Sequence, residues 1–252
     1  MPIDRHDSKD SGAPGDAARS RGAASVDIRH ATFIVVPAYN ESAVVGRVVG
    51  DLLSQYSNVV VVDDGSHDDT GEAAGRAGAM VLRHPINRGQ GAALQTGIEF
   101  ALARGAQVIV TFDADGQHQV NDVARLIEPI AKGECEVTLG SRFLGEARNL
   151  PRSRKWLLRL GVWFTRWVNG LRLTDTHNGL RGFSRSAAQR LDIQLDGMAH
   201  ASEIIDVISR NRLSYREVPV EVHYTDYSLA KGQSSRGAMR VAIQYLLEKV
   251  LR

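Results

Sequence analysis

Two uninterrupted apolar runs, each closed by a pair of carboxylates, set the strongest limit on how this chain folds. Val59-Val60-Val61-Val62 runs into Asp63-Asp64-Gly65-Ser66, and Val108-Ile109-Val110 runs into Thr111-Phe112-Asp113-Ala114-Asp115-Gly116-Gln117-His118. A short β-branched run without polar alternation predicts a strand covered on both faces, as in a parallel sheet. A third run, Ala31 to Val36, leads into Pro37-Ala38-Tyr39-Asn40-Glu41-Ser42 and an amphipathic helix predicted over Val44 to Leu53. Strand, loop, helix, strand is a βαβ unit, and ligands of such open sheets bind beyond the strands' carboxyl ends. All three polar clusters fall on that edge.

The spacing of the acids then points to chemistry. Side chains at i and i+2 of an extended segment share a side, so Asp113 and Asp115 can converge on one hard cation, with Gln117 adding a neutral oxygen. Oxygen ligands suit Mg²⁺ or Mn²⁺, and a cation held by few carboxylates completes its shell with water and substrate phosphates. A lone Asp-x-Asp also serves as a polar loop with a helix cap, so the neighbouring motifs carry the weight. At the first cluster, Ser66, Asp68 or Thr70 reads as the cap of a following helix; Asp63 and Asp64 are left without a local explanation. Asn87-Arg88-Gly89-Gln90-Gly91 is a glycine-rich turn ahead of a helix predicted over Ala92 to Ala103. It is not a dinucleotide fingerprint, because Leu94 stands where a third glycine is needed and no acid-tipped strand follows at the right distance.

Taken in order, VPAYNE (36–41), VVDDGSHDDT (61–70), NRGQGAALQTG (87–97), DADGQH (113–118), GSRF (140–143) and TDTHNGLRGFSR (174–185) resemble the family 2 glycosyltransferases. The similarity is greatest to the dolichol- and polyprenyl-phosphate enzymes of that family, and it covers nearly all of residues 31–185. The family's third motif often reads DADLQHPP; here Gly116, Gln119 and Val120 depart from it while Asp113, Asp115 and Gln117 remain. The resemblance implies an α/β GT-A fold, a Rossmann-like mixed sheet flanked by helices. It implies an inverting transfer of a hexose from a GDP- or UDP-linked sugar to a polyprenyl-phosphate-type lipid.

It also implies roles for individual residues. Pro37, Tyr39, Asn40 and Glu41 would hold the base and ribose, Asp63 or Asp64 would read them, and Gly89 belongs to the turn beside the donor. Asp113, Asp115 and Gln117 would hold the metal, and Arg142 would contact the phosphates. Ser235 and Arg236, in a loop over residues 227–236, would clamp the diphosphate as a lid. A phosphate monoester acceptor, with a second pKa near 6, needs no strong general base, whereas a sugar hydroxyl does. Asp175 is the candidate for a base or acceptor-orienting role, with a cap or turn carboxylate as the alternative. Glu203 is expected to line the acceptor side or face solvent, and His67, His84, His118, His177 and His223 show no metal-type pairing.

Composition bears on the remainder. The 252 residues suffice for one large α/β domain, expected over 31–236, and the net charge of +2 offers no argument for nucleic acid. Residues 1–30 carry no apolar run and read as a disordered tail without a secretory h-region. The one cysteine, Cys135, excludes an internal disulfide and reads as a buried apolar residue. Residues 148–172 hold seven Arg and Lys, no acid and all three tryptophans. Trp156, Leu160, Trp163, Phe164, Trp167 and Leu171 follow helical spacing, which predicts an interfacial helix at a membrane surface, with a core-packing helix as the alternative. No run reaches the roughly 20 apolar residues of a membrane span, so contact is expected to be peripheral, on the cytoplasmic face. A C-terminal amphipathic helix over 237–252 is free to lie on the bilayer, pack on the domain or dock a separate membrane subunit. Two other functions remain open: a family 2 transferase acting on a glycan or lipid hydroxyl, and a non-catalytic sugar-nucleotide-binding subunit.

Overall fold

The computed structural model describes residues 28–148, 162, 170–197 and 199–224, and there the apolar runs form the centre of a seven-stranded mixed sheet. In chain order the elements are β1 (Thr32–Ala38), α1 (Val45–Leu53), β2 (Asn58–Asp63), α2 (Thr70–Arg76), β3 (Met80–Arg83) and α3 (Gln90–Ala103). There follow β4 (Val108–Thr111), α4 (Val120–Ala131), β5 (Val137–Arg148), β6 (Arg181–Ser184), α5 (Arg185–Ala188), α6 (His200–Arg210) and β7 (Tyr215–His223). The strand order is β3-β2-β1-β4-β6-β5-β7. β1 runs parallel to β2 and β4, and β2 to β3. β6 is antiparallel to both its neighbours, and β5 pairs in parallel with β7.

Alternate side chains of the central strands feed two separate cores, which is why those strands lack polar alternation. Ile34, Val36, Val59, Val61, Val108 and Val110 pack with Val45, Val49 and Leu52 of α1 and Val123 and Leu126 of α4. Phe33, Val35, Val60, Val62 and Ile109 pack with Leu94 and Ile98 of α3 and Ile204, Ile205 and Ile208 of α6. Each such side chain contributes about 1.5–3 kcal/mol when fully buried. A one-residue slip of any strand would exchange the two cores, so the register of the whole edge is fixed.

Parallel pairing of β1, β2 and β4 brings the loops 39–42, 64–69 and 112–119 to one edge, as expected from the βαβ pattern. The reversal at β6 adds residues 174–180 to the same place, because Thr111 at the end of β4 pairs with Arg181. β7 secures the outer side: the His223 N–H donates to the Gln117 carbonyl at 2.9 Å, and the Glu221 N–H to Asp122 Oδ2 at 2.8 Å. Gly116 has φ +73°, and a Cβ there would meet Arg47 and Val44. Glycine at this departure from the family pattern gives the loop a left-handed turn that a leucine would resist.

Among the described residues no helix is long and apolar enough to cross a membrane. Residues 1–27 of the N-terminal tail, five of the six apolar residues predicted for the tryptophan helix (all but Leu171), the C-terminal helix, and Ser235 and Arg236 lie outside the described residues.

Candidate active site

The first wall of the site is built by hydroxyl and carboxylate acceptors from the β2 loop. Ser66 Oγ accepts from the Asn40 N–H at 2.9 Å, Thr70 Oγ1 from the Glu41 N–H at 2.8 Å, and Asp68 Oδ2 from the Ser42 N–H at 3.3 Å. Asn40 returns a bond, its Oδ1 accepting from the His67 N–H at 2.9 Å, and adopts φ +54°, a left-handed conformation asparagine tolerates. Of the three residues expected to cap α2, Asp68 does so, its Oδ1 accepting from the Thr70 N–H at 3.1 Å. Asp69, at the cap position, makes no side-chain bond, and Ser66, Asp68 and Thr70 also hold the 40–42 backbone. Pro37 is buried inside β1, so of the four residues expected to meet the base only Tyr39, Asn40 and Glu41 stand at the edge. Tyr39, 39 % exposed, sits edge-on to His67 with ring centroids 6.3 Å apart.

The two β2 carboxylates are both buried, and their bonds turn inward. Asp63 Oδ1 accepts from the Ser66 N–H at 2.9 Å, and its Oδ2 lies 3.4 Å from Arg83 Nε. Asp64 has three partners: Oδ1 meets His84 Nδ1 at 2.7 Å and the Arg88 N–H at 3.0 Å, and Oδ2 accepts from the Gly89 N–H at 2.6 Å. Asp64 thereby organises the glycine-rich turn. Gly89 supplies φ +109° there, which lets α3 begin at Gln90. Between Gly65–His67 and Arg83–Asn87 lies an open cleft of about 410 Å³. Its rim carries Ile86, exposed at 67 %.

Asp113 and Asp115 leave the end of β4 side by side. Asp113 Oδ1 accepts from Gln90 Nε2 at 3.0 Å, and Oδ2 meets His118 Nε2 at 3.0 Å. Burial opposes ionisation of Asp113, but the His118 bond and the charges of His118, His200 and Arg181 outweigh it and hold its carboxyl below the usual range. Burial and the Asp113 charge push Asp115 the other way, up to about 6. Asp115 accepts from the Gln117 N–H at 3.1 Å and from Gln117 Nε2 at 2.6 Å, so Gln117 turns its nitrogen, not its oxygen, to the pair. A half-turn of the amide would present the oxygen. Among the described residues no group of three His, Cys, Asp or Glu is arranged to hold a metal. Two crowded carboxylates, one of them reluctant to ionise, with an adjacent amide, fit Mg²⁺ or Mn²⁺ bound together with a diphosphate.

Arg142 and Asp175 meet across the reversal. Arg142 Nε donates to Asp175 Oδ2 at 2.6 Å, its backbone N–H to the same oxygen at 3.2 Å, and Nη1 to the Tyr224 hydroxyl. The His177 N–H takes Asp175 Oδ1 at 3.3 Å. Asp175 is 3 % exposed, so it holds Arg142 and shows no open face for a proton. Beside it Arg181 is buried, bonded to the carbonyls of Asn178 and Thr176. Burial lowers Arg181 to about 10 against the pull of Asp113 and Asp175, which leaves it charged at neutral pH. Burial, with Arg181 nearby, lowers His200 to about 4, and burial also lowers His177; both imidazoles are neutral at pH 7.

Gln90, Gly179, Arg181 and His200 are site components that sequence reasoning did not single out. Gly179 is required because a Cβ there would collide with the Asp113 carboxylate. Gly179 and Arg181 lie in the 174–185 motif, where the pattern drew notice to Asp175 alone; His200 carries no local signal. Glu203 does not face solvent: it is buried with Oε2 on the backbone N–H groups of Gln194 and Leu195.

Comparison with known proteins bears on this geometry. The sequence pattern described as "Glycosyl transferase family 2" matches residues 33–192. An uncharacterised protein of Methanocaldococcus jannaschii is 37 % identical over 224 residues, covering 86 % of this chain and 92 % of its own. A UDP-N-acetylglucosamine–dolichyl-phosphate N-acetylglucosaminyltransferase of Methanococcus voltae is 34 % identical, covering 86 % and 96 %. A polyprenol monophosphomannose synthase of Mycolicibacterium smegmatis is 28 % identical, covering 95 % of each chain. Among solved structures, glucosyl-3-phosphoglycerate synthase of Mycobacterium tuberculosis, in complex with Mn²⁺, UDP and phosphoglyceric acid, superimposes with a TM-score of 0.66 at 21 % identity, covering 85 % of this chain and 78 % of that one. The fold is therefore GT-A.

Proposed function

Because the chain belongs to glycosyltransferase family 2, we propose that it transfers a hexose, with inversion, from a nucleotide-diphosphate sugar to a polyprenyl-phosphate-type lipid. The observation that carries the acceptor assignment is the locked state of Asp175. The acid expected as base is buried on Arg142 and backbone amides, an arrangement that holds a cation in place and gives Asp175 no open face from which to deprotonate a hydroxyl. A phosphate monoester, largely ionised above its second pKa of about 6, attacks without that help. The names of the Methanococcus and Mycolicibacterium relatives, a dolichyl-phosphate transferase and a polyprenol monophosphomannose synthase, support the same class of acceptor.

The donor's nucleoside would occupy the cleft between Gly65–His67 and Arg83–Asn87, with Tyr39 and Ile86 offering apolar surface to base and ribose. Its diphosphate would then reach Asp113, Asp115 and Gln117, which would hold Mg²⁺ or Mn²⁺. When bound, that ion supplies positive charge to the departing diphosphate. Arg142 and Arg181, both buried and charged, add a fixed positive field that costs no reorganisation during the reaction. Gln90 and His118 hold Asp113 in the orientation the site requires.

The lipid acceptor implies work at a membrane surface, peripherally and on the cytoplasmic face, with the basic tryptophan segment 148–172 as the contact and Ser235 and Arg236 as a phosphate clamp. The test is incubation of purified protein with UDP- and GDP-linked hexoses, Mg²⁺ or Mn²⁺, and either polyprenyl phosphate or a panel of glycan hydroxyl acceptors. Glycosyl-phospholipid should form and should vanish in excess EDTA. Transfer only to hydroxyl acceptors, or full transfer in chelator, would overturn the reading.

A further inference from the structure

Glu203 is a carboxylate that the proposed reaction does not use, yet it is 3 % exposed and sits in the first turn of α6. Its Oε2 accepts from the Gln194 N–H at 3.1 Å and the Leu195 N–H at 2.9 Å, fixing the strap that leads to Asp196. The glycine-rich turn rests on that strap. The Asp196 carbonyl accepts from the Gly91 N–H at 2.7 Å and the Ala92 N–H at 3.4 Å, so the first amides of α3 are closed by protein. The joint is tight: a Cβ on Gly91 would collide with the Leu195 carbonyl and crowd His200, and a Cβ on Gly89 would collide with the Asp196 carbonyl. From the same first turn Gln90 reaches Asp113 at 3.0 Å. A continuous run of contacts thus joins Glu203 to Asp113, through the 194–196 strap, the start of α3 and the Gln90 amide.

We propose that Glu203 is a positioning residue: it holds the 194–196 strap against the start of α3 and so keeps Gln90 on Asp113 and the turn 87–89 in place beside the donor diphosphate. The donor's identity rests on the function proposed above; the mechanical role does not. The two bonds that tie Glu203 to the strap are received from backbone N–H groups by one oxygen. What the strap needs is an acceptor at that reach, with neither a negative charge nor an exchangeable proton.

Two variants separate these properties. E203Q keeps an acceptor oxygen at the same reach and loses the charge; E203D keeps the charge but is one methylene short. Hydrogen exchange at Gly91 and Ala92 is read by mass spectrometry, Mn²⁺ binding in the presence of UDP or GDP by electron paramagnetic resonance, and donor KM and kcat by transfer assay. E203Q should stay within about threefold of wild type in each, whereas E203D should exchange about tenfold faster at Gly91 and Ala92 and bind Mn²⁺ about tenfold more weakly. Its donor KM should change more than its kcat. An E203Q protein with normal exchange but kcat reduced about a hundredfold, and a limb missing from its pH profile, would overturn the proposal by making Glu203 a proton-transfer group. So would an E203D protein indistinguishable from wild type. If E203D does not fold, E203Q decides alone: retained exchange and binding support the role, and their loss refutes it. A wild-type protein that binds neither nucleotide refutes the donor reading, while the exchange at Gly91 and Ala92 still decides the positioning role.

Discussion

Replacing Asp115 by asparagine should stabilise the metal-free protein at neutral pH and remove its response to Mn²⁺. Burial and the neighbouring Asp113 raise the Asp115 carboxyl from 3.8 to about 6, so the folded state grips this proton more tightly than the unfolded chain does. Between about pH 4 and pH 6 the native protein binds the extra proton, and stability falls as pH rises through that window. Above it the displacement of roughly two pH units, at about 1.4 kcal/mol each, leaves ionised Asp115 costing on the order of 2–3 kcal/mol. Asparagine removes the charge at nearly constant volume. Its oxygen can still accept from the Gln117 N–H, and the Gln117 amide can turn its own oxygen toward the new NH₂. Urea unfolding in EDTA at pH 7.5 should therefore show Asp115→Asn more stable than wild type by on the order of 1–3 kcal/mol, a gain that shrinks as the pH is lowered from 6 toward 4. With Mn²⁺ and nucleotide diphosphate present, wild type should gain stability by mass action and the variant should not. A metal-free variant less stable than wild type at pH 7.5 would refute the crowding argument; an undiminished response to Mn²⁺ would refute the ligand assignment.

Three further outcomes are expected. Asp175→Ala leaves the Arg142 charge buried without its carboxylate and should cost about 3–5 kcal/mol in urea unfolding. Asp175→Asn keeps an acceptor for Arg142 and should retain measurable transfer to polyprenyl phosphate, and complete loss in a folded variant would restore Asp175 as a base. Gly179→Ala drives a methyl into the Asp113 carboxylate; destabilisation of about 1–3 kcal/mol with weakened Mn²⁺ binding is the expected result, checked by thermal unfolding and metal titration. For the tryptophan segment, fluorescence should blue-shift on adding anionic vesicles and recover in high salt as arginine attraction is screened. No shift at any vesicle concentration would favour the core-packing alternative.

Much of the site was legible because its residues follow one another along strand ends. The runs before Asp63 and Asp113 are apolar on both sides, which marks them as central strands of a covered sheet, and parallel pairing of such strands puts their carboxyl-terminal loops together without further information. Asp113, Asp115 and Gln117 drew notice by their i, i+2 spacing, although the segment that carries them is a turn, left-handed at Gly116, and not an extended strand. Less was legible where a side chain's partner lies far along the chain. Ser66, Asp68 and Thr70 carry the composition of caps, and Asp68 does hold the Thr70 N–H, but the three also take amides some 26–29 residues earlier. Asp64 likewise accepts from amides 24 and 25 residues later.

By itself the sequence determined the α/β alternation and the edge on which the polar clusters meet, because both depend on local periodicity and on short-range pairing of neighbouring strands. Only the tertiary structure decided what each acid does. The antiparallel return of β6 places Gly179 against Asp113 and buries Arg181 between two carboxylates. Asp175 closes on Arg142 across 33 residues, and Glu203 reaches backward to a strap that in turn meets α3. The physical reason is that a carboxylate's role is set by the donors and charges within a few ångströms and by how far water is excluded, and those neighbours are assembled by packing, from segments with no sequence proximity.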